Sequence, residues 1–354
     1  MARGSGTDAK PPATEKRRPV TLRDVAARAG VSTATASKAL NGVGRMALDT
    51  RNRVRDIASD MRFRPNSLAQ SLTRKRSFTV GLLTNDTYGR FSFPVMAGVS
   101  EALIDAGVSV FLCTVEDDPR LGHLHVEAML DKQVDGIIAT GKRVDRRLPL
   151  SLEHVGIPVV YAFTEPTPGA ATFVSDDADG AAQAIRHLIG LGRRQIAQVT
   201  GPSTFGVVHA RADAARAELL RAGLEARAPL LGTWSEAWGH AAVATLFEPA
   251  ASRPDAVFCG SDQIARGVID ALRERGIGVP HDVAVVGFDN WEIMATSTRP
   301  PLTTVDMNLS ALGHEAGVTL LALVEGRPVE PGLRRRPCRL VVRESCGAGL
   351  TVTS

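Results

Sequence analysis

The chain is short of several things that would mark an enzyme, a secreted domain or a membrane protein. Aromatic residues make up 5% of its 354 positions, and there are four cysteines, Cys113, Cys259, Cys338 and Cys346. None forms a CxxC pair or stands at ligand spacing from a histidine, so they read as reduced, mostly buried thiols. No apolar run approaches the length of a membrane span, and Met1–Pro19 lacks the apolar stretch of a secretory signal. The expected location is therefore the cytoplasm, with no membrane partner. GxSxG, Walker A and HExxH patterns are absent. His123 and His125 lie two apart on an expected helix and so share no face for a metal. Neither a catalytic residue nor a metal or cofactor is expected.

What is present is an uneven charge distribution. The net charge is only +4, yet residues 1–76 hold 17 basic and 6 acidic side chains, and the remainder holds 25 basic and 32 acidic. A basic head that meets a polyanion and an acidic body that does not is the natural reading. A hydrophobic content of 44% allows a sizeable core, and the length suits two or three domains.

Residues 1–18, rich in Gly, Pro, Lys and Arg, are expected to form a disordered basic arm. Thr21 can then cap a helix with Asp24 as its capping-box partner, and Gly30 can end it. Val31 fills the turn, Ser32 or Thr33 caps a second helix to about Leu40, and Asn41-Gly42 closes that one. A third helix is expected from about Leu48 to Met61. Two short helices joined by a tight turn and covered by a third make a helix-turn-helix over residues 19–65, whose second helix enters the major groove. Thr33, Ala34, Thr35, Ser37 and Lys38 would form the reading face, with Val31, Ala36 and Leu40 turned inward. Lys38 can donate to a guanine edge or neutralise a phosphate. A plain helical bundle is the alternative, and the surrounding positive charge weighs against it.

The segments "VTLRDVAARAGVSTATASKALNG" and "TRNRVRDIASDMRFRPNSLAQSL" resemble the head of the lactose/galactose-repressor family of bacterial transcription regulators. The resemblance implies that Thr21, Leu22, Ser32 and Asn41 also lie at the DNA. It implies a hinge at residues 66–76 that folds on operator DNA, with Asn66 and Ala69 matching and Leu72 as a minor-groove wedge that kinks the duplex. Lys38 departs from the usual arginine, keeping the charge and losing the fork.

From Phe78 onward strand-like runs ("FTVGLL", "VSVFLCTV", "VDGIIAT") alternate with amphipathic helical stretches. This alternation predicts parallel sheets covered by helices, in two halves with a ligand cleft between them. Residues 77–176 plus 306–326 are expected in one half and 177–305 plus 327–345 in the other. Crossovers are expected near Ser175–Asp179 and Leu302–Val305. "FVSDDADGAAQAIRHLIGLGRRQIAQVTGP", "PDAVFCGSDQIARGVIDALRERGIGVPHDVAVVGFDN" and "PPLTTVDMN" extend the family resemblance over this core, which implies a type I periplasmic-binding-protein-like α/β fold. Carried over by position, Phe91, Arg211, Trp234, Ser261, Asp262 and Asp289 are candidate ligand residues. Arg211 would be a bidentate donor, Asp289 an acceptor from paired sugar hydroxyls, and Trp234 an aromatic platform. Ser261 replaces a usual Asn, and Ala214-Ala215 replace a Gly-aromatic pair, which blurs ligand identity. The implied function is a repressor whose affinity for pseudo-palindromic double-stranded operator DNA responds to a small sugar-like effector. The alternatives are co-repression by a purine or other metabolite, and a solute receptor. A homodimer is implied, or a dimer of dimers; "ESCGAGLTVTS" contains no leucine heptad, which favours the dimer.

Overall fold

Helix initiation in the head follows from its polar residues. In the computed structural model, which describes residues 18, 20–63, 76–116, 118–248 and 253–348, helix α1 spans Leu22–Ala29. The Thr21 hydroxyl accepts from Asp24 N while Asp24 accepts from Thr21 N, a reciprocal capping box. Gly30, at φ 65°, adopts the left-handed conformation that ends the helix. Ser32 Oγ accepts from Thr35 N at 3.0 Å and starts α2, Thr33–Leu40. Helix α3, Leu48–Asp60, closes the unit. Val25, Ala26, Ala29, Ala36, Ala39, Val54 and Ala58 form its core. The chain divides into two compact units, Met1–Lys75 and Arg76–Ser354.

The second unit contains two six-stranded sheets. The first has strands β1 (Thr79–Thr84), β2 (Ser109–Thr114), β3 (Gly136–Thr140), β4 (Val159–Ala162) and β5 (Ala171–Asp176), joined late by β11 (Gly332–Pro337). Their order is β11-β5-β4-β3-β1-β2, parallel throughout. The second has β6 (Ile196–Thr200), β7 (Leu230–Leu231), β8 (Ala256–Cys259), β9 (Ala284–Asp289), β10 (Thr303–Asp306) and β12 (Arg339–Val341). It runs β12-β10-β9-β8-β6-β7, with β12 alone antiparallel to its neighbour. Strands such as β3 and β8 are buried along their whole length, because helices cover both faces of a parallel sheet. The first half carries α4 (Ser92–Ile104), α5 (Pro119–Asp131) and α11 (Leu309–Val324); the second carries α6 (Asp177–Gly190), α7 (Gly206–Arg221), α8 (Glu236–Phe247), α9 (Asp262–Glu274) and the short α10 (Glu292–Ser297).

The sheets correct the expected partition. The chain crosses between halves three times: after Asp176, at Met307–Asn308, and at Cys338 between β11 and β12. The expected second crossover, Leu302–Val305, falls too early, since β10 through Asp306 is still paired with β9. The third crossing was not expected, and 332–337 does not belong with the second half, because β11 pairs with β5 from Gly332↔Ala171 to Pro337↔Asp176. Asn66, Ala69 and Leu72 lie outside the described residues. Among those described, no helix is long and apolar enough to cross a membrane, and no group of three or more His, Cys, Asp or Glu side chains is placed to hold a metal.

Candidate functional site: a reading helix and a cleft

On the head, the reading face divides by exposure. Thr33, Ala34 and Lys38 are exposed, whereas Thr35 and Ser37 are half-buried. Thr35 Oγ1 lies 2.8 Å from Ser32 Oγ, and Ser37 Oγ accepts from Asn41 Nδ2 at 3.3 Å. Thr21 Oγ1 donates to Asp24 at 2.7 Å. Leu22 packs against the head core, so its first contribution is to hold α1 in place.

In the second unit a cavity of about 440 Å³ opens between the two sheets, and its lining follows strand ends. Asp86, Arg90 and Phe91 come after β1, Lys142 to Asp145 after β3, and Phe163 after β4. From the other half come Phe205 after β6, Arg211 of α7, Trp234 after β7, Ser261 after β8, and Asp289 and Trp291 at the end of β9. Carboxyl ends of strands are where open α/β sheets present their loops to ligands.

Each wall is built by local chemistry. Asp86 Oδ2 accepts from Phe91 N at 2.7 Å and Ser92 N at 2.9 Å, supplying α4 with the cap that Phe91 lacks. Phe91 stacks on Phe163 with centroids 4.9 Å apart. Opposite, Phe205 meets the Trp234 ring edge-on at 5.5 Å. Gly201 makes room for Trp234: a Cβ there would lie 2.3 Å from the indole.

The charges are paired. Arg211, 5% exposed, donates Nε to Asp177 Oδ1 at 2.7 Å and a terminal nitrogen to Gly260 O at 2.6 Å, and stacks on Phe288. All three of its nitrogens are thus engaged inside the protein, Nε and one terminal nitrogen with Asp177 of α6 and the other terminal nitrogen with Gly260 O. Arg143 pairs with Asp145 at 2.8 Å and holds that carboxyl below the usual carboxylate range. The same pair reaches the opposite half, with Arg143 donating to Thr204 O at 2.8 Å and Asp145 accepting from Gly206 N at 2.6 Å. Asp289 pairs with Arg90. Burial pushes the Asp289 carboxyl up, and the Arg90 guanidinium opposes that rise. Asp289 has φ 109° and Asn290 φ 49°, backbone angles that side-chain-bearing residues hold only under constraint.

Five of the six expected ligand residues therefore line one cavity: Phe91, Arg211, Trp234, Ser261 and Asp289. Asp262 does not and is corrected. It is fully buried behind the wall, with Oδ1 accepting from Thr304 Oγ1 at 2.5 Å and Oδ2 from Trp291 N at 2.7 Å. Both oxygens are occupied in tying α9 to β10 and to the loop after β9. The residues that sequence reasoning missed are Asp86, Arg90, Lys142, Arg143, Asp145, Phe163, Phe205, Gln263 and Trp291. They sit in loops or at helix starts, where no periodicity singles them out.

Residues 21–66 match the family model for bacterial regulatory proteins of the lacI family, and residues 185–346 match a periplasmic binding protein-like domain. Relatives include the transcriptional regulator CelR of Thermobifida fusca, 32% identical over 94% of this chain and 99% of its own. Another is catabolite control protein A of Priestia megaterium, 31% identical over 92% and 99%. Among solved structures, the lac repressor dimer bound to operator and the anti-inducer ONPF superposes with a TM-score of 0.69 at 28% identity, covering 93% of this chain and 99% of that one. A CelR–cellobiose complex gives 0.63 at 30%, covering 93% and 100%. Head, core and relatives agree, and the chain belongs to the lacI family of DNA-binding transcription regulators.

Proposed function

We propose that this regulator is a homodimeric repressor that holds a pseudo-palindromic operator through two heads and loosens or tightens its hold when a small, uncharged, sugar-like effector enters the cleft. The observation that carries the effector reading is the cleft lining. Six aromatic rings, Tyr88, Phe91, Phe163, Phe205, Trp234 and Trp291, line it beside three arginines, Arg90, Arg143 and Arg211, that are each paired with a carboxylate of the protein. Such a site suits a ring with an apolar face and hydroxyl edges, and offers little to a strongly charged ligand. Ser261 and Asp289 would supply polar contacts and Trp234 a platform. The same rings suit a planar purine, which keeps metabolite co-repression as the second reading. Thr33, Ala34 and Lys38 of α2 would face base edges and phosphates, with Thr35 and Ser37 beside them. For the dimer, α4 offers Phe93 and Ile104, eleven residues apart and so on one face, 54% and 72% exposed. Two-fold protein symmetry then calls for two-fold operator symmetry.

The test is a fluorescence-anisotropy titration of full-length protein against a symmetric operator, repeated with cellobiose, simple sugars and purines. Salt-sensitive binding that one compound changes is the expected result. Binding no tighter than to random DNA, with every compound present, overturns the repressor reading. A response to purines alone replaces the sugar.

A further inference from the structure

Arg90, like Arg143, crosses the cleft, but it does so onto side-chain acceptors that themselves line the cavity. Gly89, at φ 71°, turns the chain after β1, and Arg90 then reaches across from the first half to the second. One terminal nitrogen donates to Gln263 Oε1 at 2.9 Å, and the other is paired with Asp289, 199 residues away in sequence. Its guanidinium lies 5.2 Å from the Phe91 ring centre and 5.0 Å from that of Trp291, a cation between two aromatic faces from opposite halves. All five of these residues line the one cavity. A ligand that hydrogen-bonds Asp289 Oδ2 or Gln263 Oε1 therefore shares that acceptor with Arg90 or takes it from Arg90.

A second feature bears on how firmly Arg90 is held. Its Nε is buried and finds no hydrogen-bond acceptor among the described residues. A buried unpaired donor carries a desolvation cost, which makes the Arg90 position easier to give up than a fully satisfied one. The contact is strong enough to bridge the halves and incomplete enough to be exchanged.

We infer that Arg90 is a tethered occupant of the effector cleft, holding Gln263 and Asp289 in place of the ligand until an effector takes those two acceptors from it. This rests on the reading of the cleft as the effector site. It also narrows the ligand. A replacement for a guanidinium at a carboxylate and an amide oxygen must bring two hydrogen-bond donors to that end. Adjacent hydroxyls do so; a phosphate or carboxylate there would face Asp289 with like charge. When the ligand arrives, Arg90 leaves the acceptors and its Nε regains a partner in water or on the ligand.

The test uses full-length protein and has two arms. In the first, without ligand, spin labels at Glu127→Cys on α5 and Ala217→Cys on α7 report the distance between the halves by pulsed electron paramagnetic resonance. Both positions are exposed, and the four native cysteines are buried. Arg90→Ala is expected to lengthen and broaden the distance distribution. The widening is limited because the Arg143–Thr204 and Asp145–Gly206 contacts remain. Arg90→Lys, which keeps the charge and loses the two-point grip, should fall between. Urea melts check that each variant is folded. In the second arm, calorimetry with cellobiose and simple neutral sugars compares wild type with Arg90→Ala. A sugar that binds wild type should bind Arg90→Ala about ten-fold more tightly, since the competing occupant is gone. An unchanged distance in folded Arg90→Ala overturns the inference whatever binds, and so does a loss of sugar affinity. If no sugar binds either protein, the sugar reading fails, and the distance arm still decides the role of Arg90.

Discussion

Asp262 and Asp289 lie near each other in the second half, and burial raises the proton affinity of both. For Asp262, burial and the nearby Asp289 carboxylate push the value up to about 8, against hydrogen bonds from Thr304 and Trp291 that favour the anion. Gly287 leaves space for this arrangement, since a Cβ there would lie 2.4 Å from Asp262 Oδ1. The consequence for stability has a definite sign. Below the ordinary aspartate value both folded and unfolded chains hold the proton. Between that value and about 8 the unfolded chain has released it and the folded chain has not, so stability falls as pH rises through this window. The slope from one such group is at most about 1.4 kcal/mol per pH unit. Chemical denaturation of the wild type at pH 5, 6, 7 and 8 should show this decline, and Asp262→Asn, which keeps the shape and cannot ionise, should make it shallower. Equal slopes in the two proteins would place the titration elsewhere. The cysteines need no such account, because burial pushes the Cys113, Cys259 and Cys338 thiols up, away from reactivity.

At the scale of elements, α4 and α11 make the closest helix pair of the first half through glycine. A Cβ on Gly98 would lie 1.8 Å from Ser310 O, and one on Gly313 would lie 2.1 Å from Val95 O. Backbone thus meets backbone, with no flexible side chain to yield. Gly98→Ala or Gly313→Ala should therefore separate the helices and cost about 1–3 kcal/mol in a urea melt; unchanged midpoints would mean that the two helices slide apart freely. The helices themselves were legible in the sequence wherever a local rule governs them. Thr21 with Asp24, Gly30 and Ser32 mark the boundaries of α1 and α2 by their own hydrogen bonds and backbone angles, and those boundaries fall where the residues predict. The strand β11 was not legible, since "GLRRRP" carries three arginines and no apolar alternation. Its place is set by pairing with β5, about 160 residues earlier in sequence. The cleft divides in the same way. Phe91, Arg211, Trp234, Ser261 and Asp289 were reached through family pattern. Arg90, Arg143 and Asp145 were not, because their partners at Asp289, Thr204 and Gly206 come together only when the halves fold against one another.

At the scale of the molecule, the charge division has a consequence for binding. The basic excess lies in residues 1–76 and the acidic excess in the rest, so the phosphate contacts of operator binding should come from the heads. Each phosphate neutralised contributes a slope of about −0.9 to the logarithm of affinity against the logarithm of salt concentration. A dimer that places one head on each half-site makes twice the contacts on a full operator that it makes on a single half-site embedded in random flanking DNA. The full-operator slope should then approach twice the half-site slope, measured by anisotropy from 50 to 200 mM salt, a range of about that size being enough to resolve it. The acidic second unit should bind neither duplex. Equal slopes on the two duplexes would mean that one head carries the binding, and the paired-head repressor would have to be abandoned even if the family assignment stands. A doubled slope that an effector brings back toward the half-site value would tie the cleft to the heads, since releasing one head from its half-site removes its phosphate contacts together with its base contacts.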